Sequence, residues 1–506
     1  MAINKNRLVL ALISLLILSS IIYFFISLKS KREIIVVAEL KEDLSNNYLN
    51  YIDKPSWLTY QALRLIVPPL IDYEGNCYPR SKILKEIPSK DNQMMFQQNK
   101  QTILALNKDD FQVDSINPIN IIHTIHLLNM PNISNKWIHK NIVESIEQID
   151  QVEENLRIKY KMAYSLPYFP SPLIFDNTQK YQQQILDYTY KGLKNFSFFP
   201  EYSKYIVKKS ETNHFVILSK TKNLEIHFLT YTDVEKLKKE IGKIDVLKIP
   251  STLEEYITKH VNQEEYKILR FPRKEIYFIF FNPNINRNER MLIYQKFKSE
   301  LQKYNIEEYQ LCNSYILPYH FAATDKFNLE NNKFNDLSSN FPNRKLRILI
   351  TYKDQKSKLV SNLMSEIMNN SFKAEVITIN IEEKLPRKEI FGILVEPPEP
   401  SLKDDINPYD FDFIITSITI LPYMNYYSIY SKSGKYNVYS VSTPEIEQIL
   451  EKVMDGFSRN QKDYLIELQQ MLFEQFLIVP ILIDTQTFIV KKDKGIKVNA
   501  INLEIE

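Results

Sequence analysis

His123 and His126 are the residues whose types and spacing come nearest to a reactive group, three apart in "INIIHTIHLLN". On a helix that spacing sets both rings on one face, as two ligands of a divalent metal would be. No carboxylate or third histidine stands beside them, and Ile121, Ile122, Ile125 and Leu127 make the stretch an apolar helix packed on a core. The pair is therefore read as packing, and no metal or cofactor is expected. Cys77 and Cys312 show no C-x-x-C spacing. They read as two isolated buried thiols, a single disulfide being the alternative in an oxidising compartment. The 7 glycines are spread singly, so there is no phosphate-cradling loop and no nucleophile elbow. Acid pairs can always be drawn from 61 carboxylates, but none is marked by its context. No enzyme activity is expected.

One stretch could recognise a ligand instead. "DFDFIITSITILPYMNYYSIY", residues 410–430, is a β-rich apolar run that breaks at Pro422 into tyrosines around Asn425. Tyrosine and asparagine at the end of a strand can stack on and hydrogen-bond an extended solute. Such residues must be weighed by position, because 32 Tyr and 28 Phe in an Ile-, Lys- and Asn-rich chain reflect a compositional background. The bland alternative is that Tyr423, Tyr426, Tyr427 and Tyr430 pack a surface loop.

The elements that must position this loop follow from the hydrophobic pattern. A chain of 506 residues is too long for one compact core. Its formal charge of +3, from 64 basic and 61 acidic residues, gives no reason to expect a nucleic-acid partner. From Leu8 to Leu28 no residue is charged, and Lys5, Arg7, Lys29, Lys31 and Arg32 flank the run. A secretory apolar segment is usually about 7 to 15 residues and a spanning helix about 20, so the length predicts an uncleaved membrane anchor.

Beyond it, "REIIVVAEL" reads as a strand, "LTYQALRLIVPPLIDYEGNCYP" as a helix stopped by Pro68 and Pro69, and residues 142–162 as two strands with a turn near Glu153. Thr232 with Glu235, and Ser251 with Glu254, form capping boxes ahead of two helices, with the strand-like "KIDVLKIP" between them. "IYFIFFN" is an apolar strand that leads into a helix at about 288–304. "LRILITY", "SKLVSNLMSEIMNN" and "AEVITINI" form a strand-helix-strand unit, hence a parallel sheet covered on both faces. Thr443 followed by Pro444 opens a further helix, 464–476 carries another apolar helical stripe, and "VPILIDTQTFIV" ends the chain as a strand pair or one long bent strand. Residues 320–345 read as a long surface loop.

In this order the segments resemble the family 5 extracellular solute-binding proteins, the oligopeptide, dipeptide and nickel-binding components of ABC transporters. The resemblance runs over most of residues 34–500. "LIVPPLIDYEGNCYP" is similar to a family helix end, with Asp72, Gly75 and Pro79 in place and Pro68 where a Glu is usual. "EIGKIDVLKIP" matches "s-G-e-i-D-v" through Gly242 and Asp245. Asn282 and Arg290 match a strand ending in Phe-Asn before an Arg-containing helix, and Pro480 matches the closing strand.

The resemblance implies an α/β, class II periplasmic-binding-protein-like fold of two lobes with an extra subdomain, and the length of the apolar run sets an N-terminal transmembrane helix before it. Residues 1–32 would be a membrane anchor or uncleaved signal; 33–49, 160–262 and 486–506 lobe I; 50–159 the extra subdomain; and 263–485 lobe II. It implies no cofactor, and a monomer that binds a peptide or other small solute for ABC permease subunits, with the bulk of the chain on the extracytoplasmic side of the cell membrane. The cleft candidates are Thr419, Pro422, Tyr423, Asn425, Tyr426 and Asn282. Peptide-binding members keep a Trp and an Asp in the segment where this chain has Thr419 and Pro422, and "DSINPINI" lacks the family's Gly and Ala. The alternative is a diverged binding-protein fold acting as an interaction or sensing module rather than in transport.

Overall fold

The computed structural model describes residues 32–41, 57–66, 72–80, 101–104, 143–148, 156–160, 205–211, 213–250, 253–304, 306, 309–324, 344–352, 355–381, 407–420, 426–434, 436–454, 459–501 and 503–505. In chain order the strands are β1 (Glu33–Leu40), β2 (Asp72–Tyr73), β3 (Pro79–Arg80), β4 (Gln101–Leu104), β5 (Val143–Gln148), β6 (Leu156–Tyr160), β7 (Tyr205–Glu211), β8 (His214–Ser219), β9 (Leu224–Tyr231), β10 (Val246–Ile249), β11 (Tyr266–Phe281), β12 (Tyr309–Leu311), β13 (Leu346–Tyr352), β14 (Ala374–Asn380), β15 (Phe413–Thr419), β16 (Ile478–Lys491), β17 (Ile496–Val498) and β18 (Leu503–Ile505). The helices are α1 (Trp57–Ile66), α2 (Val234–Glu240), α3 (Glu254–Thr258), α4 (Arg287–Leu301), α5 (Gln355–Ser371), α6 (Tyr426–Tyr430), α7 (Pro444–Met454) and α8 (Gln461–Gln475).

One 11-stranded sheet runs through the molecule in the order β14-β13-β15-β11-β16-β10-β1-β9-β8-β7, with β12 also paired to β16. Its two halves are buried by different cores. In the first half, Val37, Val246, Phe488 and Val490 point to the face covered by α1, while Ala38, Leu247 and Ile489 point to the face covered by α2 and α3. Successive strand residues alternate between faces, so these strands are apolar without a break because both faces are covered. In the second half, Ile276 to Phe281 of β11, β13, β15 and the first part of β16 are packed under α4, α5, α7 and α8. Among the described strands, only β11 and β16 are long enough to serve both cores.

Many of the expected elements are present. The strand-helix-strand unit is β13, α5 and β14, its strands parallel in the register Leu346↔Ala374 to Tyr352↔Asn380. β5 and β6 form the expected antiparallel pair and make a separate sheet with β4. The closing apolar segment is one strand, β16. Thr443 caps α7 through its hydroxyl, which accepts from Ile446 N at 3.4 Å.

The capping of α2 is a correction. Asp233, not Thr232, accepts from Glu235 N at 2.8 Å and from Lys236 N at 3.3 Å. A carboxylate next to the first turn also opposes the helix dipole directly, which a hydroxyl cannot do. Glu254 does not close a capping box either, for its carboxylate is engaged by Arg270 and by Thr487 Oγ1 at 2.7 Å. Cys77 and Cys312 are both buried free thiols, as expected, and burial raises each pKa to about 12.

The hairpin β2–β3 joins the two cores. Asp72 and Glu504 hold Arg80 on the first side, while Phe321 N donates to Asn76 O at 2.7 Å and Cys77 is buried in the second core. The apolar stretch 8–28, the His123/His126 helix and most of the 320–345 loop lie outside the described residues. Among the described residues, no helix is long and apolar enough to cross a membrane.

Candidate functional site at the strand crossing

Strand polarity locates the site. β1 and β10 run parallel, with Glu39 opposite Lys248, so their carboxyl ends lie together. β10 pairs with β16 through Ile249↔Thr487, which puts Asp484 just past those ends. In the second half, β15 ends at Thr419 opposite Glu275 of β11. Carboxyl ends from both halves therefore converge on one segment of β11 and β16, the position where open α/β sheets hold ligands.

At that point the ladder is interrupted. Pro272 pairs with Thr485 and Ile276 with Ile483, so Arg273, Lys274 and Glu275 stand opposite the single residue Asp484. A bulge of this kind bends the strand and re-aims its side chains. Asp484 is 2% exposed. Its carboxylate accepts from Glu275 N at 3.0 Å and pairs with Arg273 at 3.1 Å. Tyr319 closes the other side by donating its hydroxyl to Arg273 O at 3.3 Å.

A second pair stands on the first-core side. Lys248 Nζ donates to Glu39 Oε1 at 2.7 Å, both side chains being largely buried. Glu39 also accepts from Leu58 N at 3.4 Å, in the first turn of α1. Trp57 offers its ring to Lys248 at 5.4 Å and packs on Phe488 at 5.1 Å. Burial pushes the Lys248 ammonium below its ordinary pKa, against the pull of Glu39, and Arg273 lowers it further. Lys274 is half-buried and its pKa is lowered by burial too.

The expected cleft residues separate into three groups. Thr419 is exposed at the end of β15, opposite Glu275 of the bulge. Pro422, Tyr423 and Asn425 lie outside the described residues. Tyr426 and Asn282 do not line a cleft in this structure. Tyr426 is 0% exposed and stacks with Tyr430 at 6.3 Å, while the Tyr430 hydroxyl donates to Tyr315 O at 2.7 Å. Both rings belong to the second core because α6 turns Tyr426 and Tyr430 inward. Asn282 follows the far end of β11, beside the amino end of β15, where it donates to Phe411 O at 3.0 Å and accepts from Asn284 N at 3.0 Å. It shapes the turn into α4, on the side of the sheet away from the bulge.

The groups missed from the sequence, Glu39, Lys248, Arg273, Lys274 and Asp484, had one visible signal. The charged triplet in "FPRKEIYFIFF" follows a proline and interrupts an otherwise β-like run.

Together, a sheet shared by two cores, crossing strands and charged groups at the converging carboxyl ends define a two-lobed binding-protein architecture of the periplasmic type. The solved structures agree. The chain superposes with TM-score 0.69 on MppA, a periplasmic murein tripeptide binding protein in its unliganded open form, at 13% identity over 94% of this chain and 98% of that chain. HbpA2 from Haemophilus parasuis gives 0.65 at 12% identity, covering 94% of this chain and 100% of that one. The oligopeptide-binding protein AppA from Bacillus subtilis, in complex with a nonapeptide, gives 0.54 at 10% identity, covering 93% and 97%. No family model matches the chain, and no curated protein matches it in sequence.

Proposed function

We propose that the chain is the extracytoplasmic solute-binding component of an ABC transporter, tethered by its N-terminal apolar segment and holding an oligopeptide-like or other extended solute between two lobes. One observation carries the reading: the carboxyl ends of strands from two separate cores meet at the bulge where β11 and β16 cross between them. The division into lobe I (33–49, 160–262, 486–506), an extra subdomain (50–159) and lobe II (263–485) belongs to this reading. It is supported by the separate cores on either side of the bulge. In function, the solute stabilises lobe closure, and only the closed form is productive for delivery to permease subunits in the membrane.

The alternative, an interaction or sensing module, draws on the inward packing of Tyr426 and Tyr430, which gives aromatic surface to the core instead of to a ligand. A native mass spectrum of the full chain, purified in detergent, separates the two. Transport predicts co-purified small peptides or solute, displaced by members of a peptide library that raise the melting temperature. Apoprotein alone, with no thermal shift from any peptide, would leave the module reading.

A further inference from the structure

Of the cations at the crossing, two have acids of their own. Lys248 has Glu39 at 2.7 Å, and Arg273 has Asp484 at 3.1 Å. Lys274 has neither a hydrogen bond nor an ion pair among the described residues. Asp484 reaches it only through space, together with the thiol of Cys77. The carboxylate of its chain neighbour Glu275 acts on Tyr309.

A half-buried ammonium without an acid partner is costly, and a strand position tolerates uncharged residues of the same length. Cost of this kind is kept where a ligand repays it. The position is also right: Lys274 O accepts from Ile420 N at 2.7 Å, which ties the residue to the exposed end of β15, and Thr485, on the other side of Asp484, leads into the first core.

We infer that Lys274 is an anion subsite on the floor between the lobes, taking a carboxylate of the solute, and that the chain selects acidic extended solutes over neutral and basic ones. This rests on the binding-protein reading above. The Glu39–Lys248 and Asp484–Arg273 pairs are closed within the protein, so among the described residues at the crossing the cation left to a ligand is Lys274. Arg273, whose side chain is 43% exposed, stands next to it and strengthens the local positive potential.

The test uses the full chain in detergent and three pools of N-acetylated, C-amidated pentapeptides with acidic, neutral or basic side chains, titrated calorimetrically. The acidic pool should bind at least about tenfold tighter than the others. Lys274→Gln should remove most of that preference, and Lys274→Arg should retain it. The ligand-free melting temperature of Lys274→Gln should equal or exceed that of the unaltered chain, because an unpaired buried charge has gone. Equal binding of the three pools, or an acidic preference unchanged in Lys274→Gln, overturns the subsite and leaves the binding-protein reading standing. A Lys274→Gln chain that fails to fold while Lys274→Arg folds marks the charge as structural and also overturns it. Absence of binding by any pool removes the subsite together with the reading beneath it.

Discussion

Asp484 faces Arg273 at 3.1 Å across the point where the sheet passes from one core to the other, and the same carboxylate accepts the backbone N–H of Glu275 at 3.0 Å. One buried acid thus fixes both the charge and the backbone course of the bulge. Asp484→Ala would leave a backbone donor unsatisfied and Arg273 without its acid, and should cost about 3 kcal/mol in urea unfolding. Asp484→Asn keeps an acceptor and should cost less. A loss below about 1 kcal/mol for the alanine variant would mean that the bulge holds its shape without the acid.

The Glu39–Lys248 pair should behave as a buried ion pair does. Glu39→Ala strands Lys248 and should destabilise by about 3 to 5 kcal/mol, whereas Glu39→Leu combined with Lys248→Met should recover most of the loss. A double-mutant cycle by chemical denaturation measures the coupling. Simple additivity would show that the pair does not act as a unit.

His320 gives the acid limb of stability. Burial lowers its pKa to about 3, its Nδ1 accepts from Ala322 N at 3.2 Å, and its ring lies on Phe321 at 4.3 Å. The folded pKa lies below the unfolded value of about 6.5, so the unfolded chain takes up the proton first. Stability from this residue is complete above about pH 6.5 and falls by about 1.4 kcal/mol per unit as pH drops towards 3. Replacement by Asn, which can accept from the same N–H, should flatten that limb in pH-dependent unfolding. An unchanged slope would assign the acid sensitivity to other groups.

Gly434 follows the tyrosine helix. A Cβ there would meet Ser428 O at 2.6 Å and Tyr427 O at 2.7 Å, backbone atoms that cannot give way cheaply. Gly434→Ala should therefore lower stability by about 1 to 3 kcal/mol and loosen α6. Proteolysis mapping should show new cleavage near 426–434; wild-type resistance would mean that the turn adjusts at little cost.

Much of the fold could be read along the chain. The period of apolar residues marked β13, α5 and β14, the proline after Thr443 marked the start of α7, and the run from Ile276 to Phe281 marked a fully apolar strand. The site was less legible. Tyr426 looked like a ligand contact because its sequence neighbours are polar and aromatic. Whether a five-residue helix turns its rings inward depends on Phe278, which packs on Tyr430, and on Tyr315, whose carbonyl accepts the Tyr430 hydroxyl, both distant in sequence. Lys274 was passed over for the same reason: a lysine in a strand means nothing until its neighbours in space are known.

The sequence by itself determined the elements, their order and the likeness to two-lobed solute-binding proteins, because periodicity, caps and turns are local properties that residue types carry directly. The tertiary structure alone decided which charges are satisfied. Glu39 meets Lys248 and Asp484 meets Arg273 only when strands more than two hundred residues apart are laid side by side. Whether a charge is neutralised depends on distance and burial in space, which the spacing of residues along a chain does not contain.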